Sequence, residues 1–339
     1  MKQLRVLALV AENLVPPDDL DGHTEKEIDE WRTEFDVVST LREMGHQVEV
    51  LGLSDDLTPI RHAILKRNPH IAFNLLEEFH GVVTYDQAIV SYLELMRQHY
   101  TGCNPRGLLL SKDKALSKKI LSYHRIPSPR FTVFPLGRKV VRPKKLSFPI
   151  FVKSVIDDAS LAISQASVVH TDQELADRVA FVHEHTLADA LAEEFIDGRE
   201  LYVGVMGNDR LQTLPIWELK FTKSNAPLIA THKVKWDRQY QEKLGVATNL
   251  AEGLSTDTKK QIERICKRVY KALDLSGYAR MDLRLRGDGK VYVLEANANP
   301  NLSYGEDFAE SAETEGIKYE DLLSKIIGLG LRYRAPWKM

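Results

Sequence analysis

Residues 277–302 read GYARMDLRLRGDGKVYVLEANANPNL, and the fold turns on how this stretch is understood. Tyr278 to Leu285 alternates apolar and polar, Arg286-Gly287-Asp288-Gly289 supplies turn chemistry, and Val291 to Leu294 returns as an apolar run. That pattern predicts two antiparallel strands joined by a tight turn. Such a hairpin brings Asp282 across from Glu295, although thirteen positions separate them, and Asn297 follows two residues later. Oxygen ligands on rigid strands suit Mg²⁺, a hard ion that takes one or two carboxylates and completes its shell with water and phosphate. A hairpin with solvated carboxylates is the plain alternative, and composition alone favours it. The order Arg-x-Asp followed by Glu-x-Asn-x-x-Pro is what supports a metal site.

With 339 residues the chain is long for one core, so two or three subdomains are expected. Apolar residues make up 43% and charged residues 28%, ordinary values for a soluble globular protein. The 46 basic and 48 acidic residues leave a net charge of −2, so no global field points to nucleic acid or membrane as a partner. Cys103 and Cys266 are the only cysteines, which suits a cytoplasmic protein and excludes a disulfide framework. The N-terminal MKQLRVLALVAENLV has a basic start, but its apolar run is short, Glu12 follows at once and no small-residue cleavage site appears. It reads as a first strand rather than a signal peptide, and no segment is long enough to span a bilayer.

From the hairpin outward, the first hundred residues alternate strand and helix. Residues 4–10 and Val48–Leu53 read as strands, separated by an amphipathic helix over Glu25–Met44 that Gly45 stops. A helix near Pro59–Lys66, a strand at His70–Leu76, a helix over Tyr85–Gln98 and a short strand at Tyr100 follow. This order predicts a parallel, doubly wound sheet. Ligands on such sheets sit beyond the carboxyl ends of strands, which groups Ala11–Leu14, Glu77–Tyr85 and Thr101–Arg106 at one rim.

Leu108–Tyr123 reads as one helix, with most of its lysines at 112, 114, 118 and 119 on a solvated face. Strands are expected at Phe131–Phe134, Ile150–Lys153 and Gln165–His170, then a helix over Asp172–His185 with Thr171 or Asp172 as N-cap. Ala190–Gly207 reads as strand, turn and strand, and Leu211–Phe221 as a strand with an edge or bulge at Pro215. Ser224–Ala251 reads as a long lid-like loop, Ser255–Leu273 as a helix, and Tyr319–Leu329 as a last helix ended by Gly328 and Gly330.

The segments IFVK, EEFIDGRE and ARMDLRL…VLEANANP, in that order, resemble those of the ATP-grasp enzymes, most closely the D-alanine–D-alanine ligases. The resemblance covers Ser111 to Leu302 and, more loosely, the first hundred residues. It implies an α/β protein, α+β in its later parts, with an N-terminal doubly wound domain over 1–107. A central ATP-grasp subdomain over 108–189 and a C-terminal one over 190–339 would follow. ATP and two Mg²⁺ ions, with Mn²⁺ as a substitute, are the implied cofactors. Lys114, in SKDK, and Lys153 would reach the phosphates, and Ser160 is the expected helper in a phosphate loop that lacks glycine. Glu193 would take the adenine amino group, Glu194, Phe195 and Ile196 the hinge and ring face, and Glu200 the ribose, with Leu294 as the opposite face. Lys235 resembles the lid lysine, with Lys233 a competing assignment. Asp282, Glu295 and Asn297 match the metal positions, and Arg280 the arginine that stabilises charge at the reacting carbonyl.

The implied activity is ATP-dependent joining of a small-molecule carboxylate to an amine through an acylphosphate. The alternatives are a nucleotide-binding pseudoenzyme or regulatory protein without turnover, and another ATP-grasp outcome such as phosphoryl transfer or carboxylation. A homodimer is expected only because related ligases are commonly dimeric. Several segments depart from the family. Glu12 lies in AENLVPPDDLDGH rather than a glycine- and serine-containing loop. His80-Gly81 survives without the acidic-glycine part of its turn, and Asn301-Leu302-Ser303-Tyr304-Gly305-Glu306 replaces the segment that binds the second alanine's carboxylate. Glu12, His80, Asn301 and Glu306 are therefore the expected substrate-side residues. A glutamate at 306 would repel a carboxylate, which points to an amine other than D-alanine.

Overall fold

The computed structural model describes residues 2–156, 164–221 and 246–338. Its first sheet is parallel, with β1 (Arg5–Ala11) between β2 (Gln47–Leu53) and β3 (Ile71–Asn74). Tyr100 continues the parallel pairing through a bridge to Ala72. Val6 to Val10 are all buried, as a strand covered on both faces requires. Helix α1 (Glu25–Glu43) opens with a capping box, Thr24 accepting from the Glu27 N–H while Glu27 accepts from the Thr24 N–H. Helices α2 (Thr58–Arg67) and α3 (Asp86–Leu95) complete the alternation read from the sequence.

The expected helix over 108–123 is two helices, α4 (Pro105–Lys112) and α5 (Lys114–Tyr123). Asp113 leaves helical geometry at φ −78° and ψ 96°, and its carboxylate caps α5 by accepting from the Leu116 N–H at 2.8 Å. The second sheet is antiparallel, in the order β4 (Phe131–Phe134), β7 (Ala190–Glu194), β5 (Ile150–Ser154) and β6 (Val168–Val169). Of the strand expected at 165–170, only Val168–Val169 is extended, because Gln165–Ser167 forms a 3₁₀ turn. Helix α6 (Asp172–Thr186), capped by Thr171, buries Leu175, Val179 and Val182 against Ile150, Val152 and Ala190.

The third sheet runs β11 (Val246–Leu250), β10 (Trp217–Phe221), β8 (Arg199–Met206), β12 (Tyr278–Leu285) and β13 (Val291–Ala298), with β9 (Gln212–Thr213) on β8. The strand expected over 211–221 is thus two pieces, and β11 lies in what the sequence presented as loop. Because β7 belongs to the second sheet and β8 to the third, Phe195–Gly198 is the hinge between them. Helix α7 (Thr256–Ala272), capped by Ser255, buries Ile262, Ile265 and Val269 under the third sheet.

Two differences lie at the C-terminal end. Helix α8 (Asp307–Thr314) was not legible in the sequence, and α9 (Tyr319–Arg332) runs through both glycines expected to end it. Gly330 is there for packing, since a Cβ would collide with the Tyr100 carbonyl oxygen. That contact seats α9 on the first sheet, where Leu322, Leu323, Ile326 and Ile327 share a core with Val37, Leu41, Ile71 and Phe73. Among the described residues no helix is long and apolar enough to cross a membrane.

Candidate active site

The hairpin register pairs Arg280 with Asn297 and Asp282 with Glu295. Alternation along a strand puts Arg280 and Asp282 on one face, and pairing puts Glu295 and Asn297 on that same face. The four side chains form a two-by-two patch. Just beyond it the register shifts, Leu283 pairing with Val293, so Leu294 is the extra residue of a bulge. β8 extends the patch, because Tyr202 pairs with Asp282 and Glu200 with Arg284.

Arg280 grips Asp282 with two parallel bonds, Nε to Oδ1 at 2.8 Å and Nη2 to Oδ2 at 3.0 Å. Its Nη1 donates to Asp307 Oδ2 at 2.9 Å, and the guanidinium lies 4.7 Å from the centre of the Tyr202 ring. Burial opposes the arginine's charge, yet the two carboxylates hold its pKa well above the ordinary value. Asp307, the first residue of α8, is a partner of Arg280 that the sequence reading missed.

Beside the patch runs a buried row of alternating charge. Lys118 Nζ lies 2.7 Å from Glu193 Oε2, Lys153 Nζ lies 3.3 Å from Glu193 Oε1, and the same Nζ lies 3.3 Å from Glu295 Oε2. Burial alone would raise the Glu193 pKa, but the two lysines hold it below the ordinary value. Burial likewise works against the Lys153 ammonium, and the carboxylates of Glu193 and Glu295 more than offset it. Lys118 is the clearest correction to the sequence reading, which left it on a solvated face. Its side chain is 1% exposed, and it also donates to the Leu294 carbonyl at 3.1 Å. The cause is the cap at Asp113, after which Lys114 and Lys118 share the inward face of α5 while Lys119 faces solvent. Lys112 faces the other way, pairing with Asp86 at 3.0 Å and donating to the carbonyls of Glu77 and Val83.

The hinge segment is held at both ends. The Glu194 N–H donates to Arg130 O and the Phe195 N–H to Pro149 O, at 2.8 and 3.0 Å, and Ile196 is buried. Arg284 spans the far end, donating to Gly198 O at 2.8 Å and pairing with Glu200 Oε2 at 2.6 Å. Tyr202 donates to Glu200 Oε1 at 2.9 Å. Arg284 and Tyr202 were also missed. Strand alternation from Arg280 and Asp282 was the available signal for Arg284, but it needed the pairing of β8 with β12.

The expected substrate-side residues do not converge in the same way. Glu12 is exposed in the 3₁₀ turn after β1, and His80 is exposed at φ 55° with its N–H donating to Ser54 O at 2.8 Å. Asn301 holds the loop after Pro300: its Oδ1 accepts from Thr33 Oγ1 at 2.9 Å, the Ser303 N–H at 2.8 Å and Ser303 Oγ at 2.7 Å. The Tyr304 N–H donates to Asp36 Oδ2 at 2.9 Å, so the loop is seated on α1. Glu306 is the N-cap residue of α8. Nearby on α1, Glu34 is 5% exposed, and burial together with the charge of Glu77 pushes its carboxyl up to about 7. Ser160, Lys233 and Lys235 lie outside the described residues.

Among the described residues no three acidic, histidine or cysteine side chains converge as a metal cluster. The hairpin donor set is two carboxylates and an amide, which fits an oxygen-seeking cation that keeps water and phosphate in its shell. Of the Asn297 amide only Oδ1 could ligate such a cation; its Nδ2, a donor, is buried with no hydrogen-bond partner among the described residues.

Residues 122–328, more than half of the chain, match the family described as D-ala D-ala ligase C-terminus. A D-alanine–D-alanine ligase of Desulfotalea psychrophila is 30% identical over 264 residues, covering 77% of this chain and 78% of that protein. An uncharacterised protein of Sinorhizobium fredii is 29% identical over 301 residues, covering 87% and 86%. In three dimensions the chain is similar to the Bacillus anthracis D-alanine–D-alanine ligase complexed with ATP, with a TM-score of 0.76, 23% identity and 98% of both chains covered. The chain belongs to the D-alanine–D-alanine ligase family, carbon–nitrogen-bond-forming ligases of ATP-grasp fold.

Proposed function

We propose that this protein is an ATP-dependent ligase joining a carboxylate to an amine through an acylphosphate, with an amine other than D-alanine as acceptor. The observation that carries the proposal is the pairing of Arg280 with Asn297 and Asp282 with Glu295 on one sheet face, with Lys153 at its edge. A carboxylate is a poor target for an amine because oxide would have to leave. ATP supplies the phosphoryl group that makes phosphate the leaving group. That transfer needs positioned charge rather than a protein nucleophile.

Asp282, Glu295 and Asn297 are the residues to hold Mg²⁺, which would neutralise the triphosphate. The ion pairs already present are poised for an exchange of partners. Lys153 faces Glu295 and Glu193 across 3.3 Å, longer than the 2.7–2.9 Å of a tight charged hydrogen bond, so a phosphate oxygen can compete for it. Arg280, fixed by Asp282 and Asp307 on Tyr202, is oriented to stabilise the oxyanion formed when the amine attacks. The acceptor assignment is supported by the loop after Pro300. Its serine and asparagine oxygens are engaged with Thr33 and each other, and Arg280 already carries two carboxylates. Little here is arranged to receive a third carboxylate, and the charges favour a neutral or cationic amine.

Pools of carboxylic acids and amines, screened with ATP and Mg²⁺ for ADP release and for products by mass, test the proposal. ADP release that needs both an acid and an amine is the expected result. Tight ATP binding with no acid- and amine-dependent ADP from any pool contradicts it and favours a nucleotide-binding protein without turnover.

A further inference from the structure

We infer that Lys118 is a positioning residue for nucleobase choice: it keeps Glu193 ionised and aimed so that Glu193 Oε1 accepts from the exocyclic amino group of a 6-aminopurine. The inference rests on the ATP reading above and adds a residue and a selectivity that reading does not contain.

The geometry separates the two oxygens of Glu193. Oε2 forms an ion pair with Lys118 Nζ at 2.7 Å, close but outside hydrogen-bond geometry, whereas Oε1 has Lys153 Nζ at 3.3 Å. Lys118 is 1% exposed, while the Lys153 contacts lead outward to Glu295, which is 21% exposed. One end of the row is therefore fixed and the other exchangeable. If a triphosphate draws Lys153 away, Glu193 stays buried and needs a cation to remain charged, because an unpaired carboxylate in such a place takes up a proton. A protonated Glu193 would offer an O–H donor and lose its preference for an amino group. Lys118 supplies the cation that nucleotide binding does not remove.

Lys118 also fixes the opposite wall. The same Nζ donates to the carbonyl of Leu294, the bulged residue of β13, at 3.1 Å, while Glu193 lies in β7 of the second sheet, one residue before its end. The ammonium of α5 thus ties together one residue from each of the two sheets that the hinge joins. A buried ion pair that served stability alone would not need to hold both Glu193 and the bulge carbonyl.

The test is calorimetric titration of the whole chain with Mg²⁺ and either ATP or inosine triphosphate, which carries an oxygen in place of the 6-amino group. The wild-type chain is expected to prefer ATP by about 10- to 100-fold, the worth of one hydrogen bond to a charged group. Lys118→Met is expected to bring the two affinities within about threefold while binding inorganic tripolyphosphate as the wild type does. A Lys118→Met chain that keeps the wild-type preference overturns the inference, and so does a wild-type chain with no preference. Should Lys118→Met fail to fold, Lys118→Gln, a neutral side chain that keeps an N–H donor and leaves Glu193 in place, decides. Loss of preference there supports the inference, and a wild-type preference refutes it. Absence of any ATP binding by the wild type would instead remove the functional reading itself.

Discussion

The hairpin side of the candidate site and the α1 side are built by different means. On the hairpin, Arg280, Asp282, Glu295 and Asn297 take their places from strand register, Arg280 pairs with Asp282, and Lys153 of β5 pairs with Glu295. On the α1 side, Asn301 and Ser303 are tied to Thr33, and Tyr304 to Asp36 and Thr40, by side-chain hydrogen bonds, and Glu12 and His80 lie on exposed turns. Moving a hairpin residue would break a ladder and a buried charge row together, whereas a loop can be re-seated by one or two substitutions. On the proposed function, the comparison places activation of a carboxylate on the rigid side and choice of acceptor on the side that can change.

The comparison breaks most visibly if the hairpin can be altered without consequence. Glu295→Gln keeps the shape but removes a carboxylate that faces Lys153. Acid- and amine-dependent ADP release is expected to fall about 10²- to 10³-fold, on the scale of losing one electrostatic contact in a transition state. Thermal unfolding should move by only a few degrees, which distinguishes this loss from misfolding. Arg284→Met tests the hinge brace, because Glu200 would be buried without its cation. A loss of about 3 kcal/mol in denaturant unfolding is expected, and Tyr202 is too weak a donor to restore it.

The α1 side should respond in stability more than in chemistry. Glu34 titrates at about 7 in the folded chain against 4.5 ordinarily. Between those values the folded chain holds a proton that the unfolded chain has released. The stability this contributes is therefore fully present below about 4.5 and lost as pH rises to about 7. Glu34→Gln should be more stable than wild type at pH 8 by about 1–3 kcal/mol. That advantage should vanish near pH 4, as paired unfolding curves at the two pH values would reveal. The smallest effect is expected for Asn301→Ala, about 1 kcal/mol for the lost loop bonds. It should raise KM for the amine while leaving ATP affinity unchanged, and an equal change in both would blur the two sides.

The same division explains what could be read from the sequence. The hairpin was legible to its turn, because alternation and an Arg-Gly-Asp-Gly turn are local signals. The parallel first sheet was legible for the same reason. Lys118 was not, because its partner Glu193 is distant in sequence and the Asp113 cap that turns it inward divides a pattern that reads as one continuous helix. Arg284 and Asp307 needed the tertiary pairing with β8 and the unforeseen α8. Gly330 shows the opposite error: a glycine that signals a helix end by local chemistry is present because a distant backbone, at Tyr100, comes close. Asn301 is expected on the substrate side from its place after Pro300, and its Oδ1 accepts both from nearby Ser303 and from Thr33 of α1, far away in the chain.

The most direct test of the central claim follows an oxygen atom. With a carboxylic acid labelled with ¹⁸O in its carboxylate, together with ATP, Mg²⁺ and an accepted amine, an acylphosphate route must transfer one carboxylate oxygen to inorganic phosphate. Mass analysis is expected to find one ¹⁸O in the phosphate for each amide formed. Amide formation with unlabelled phosphate, or ADP release with no amide, would contradict the account.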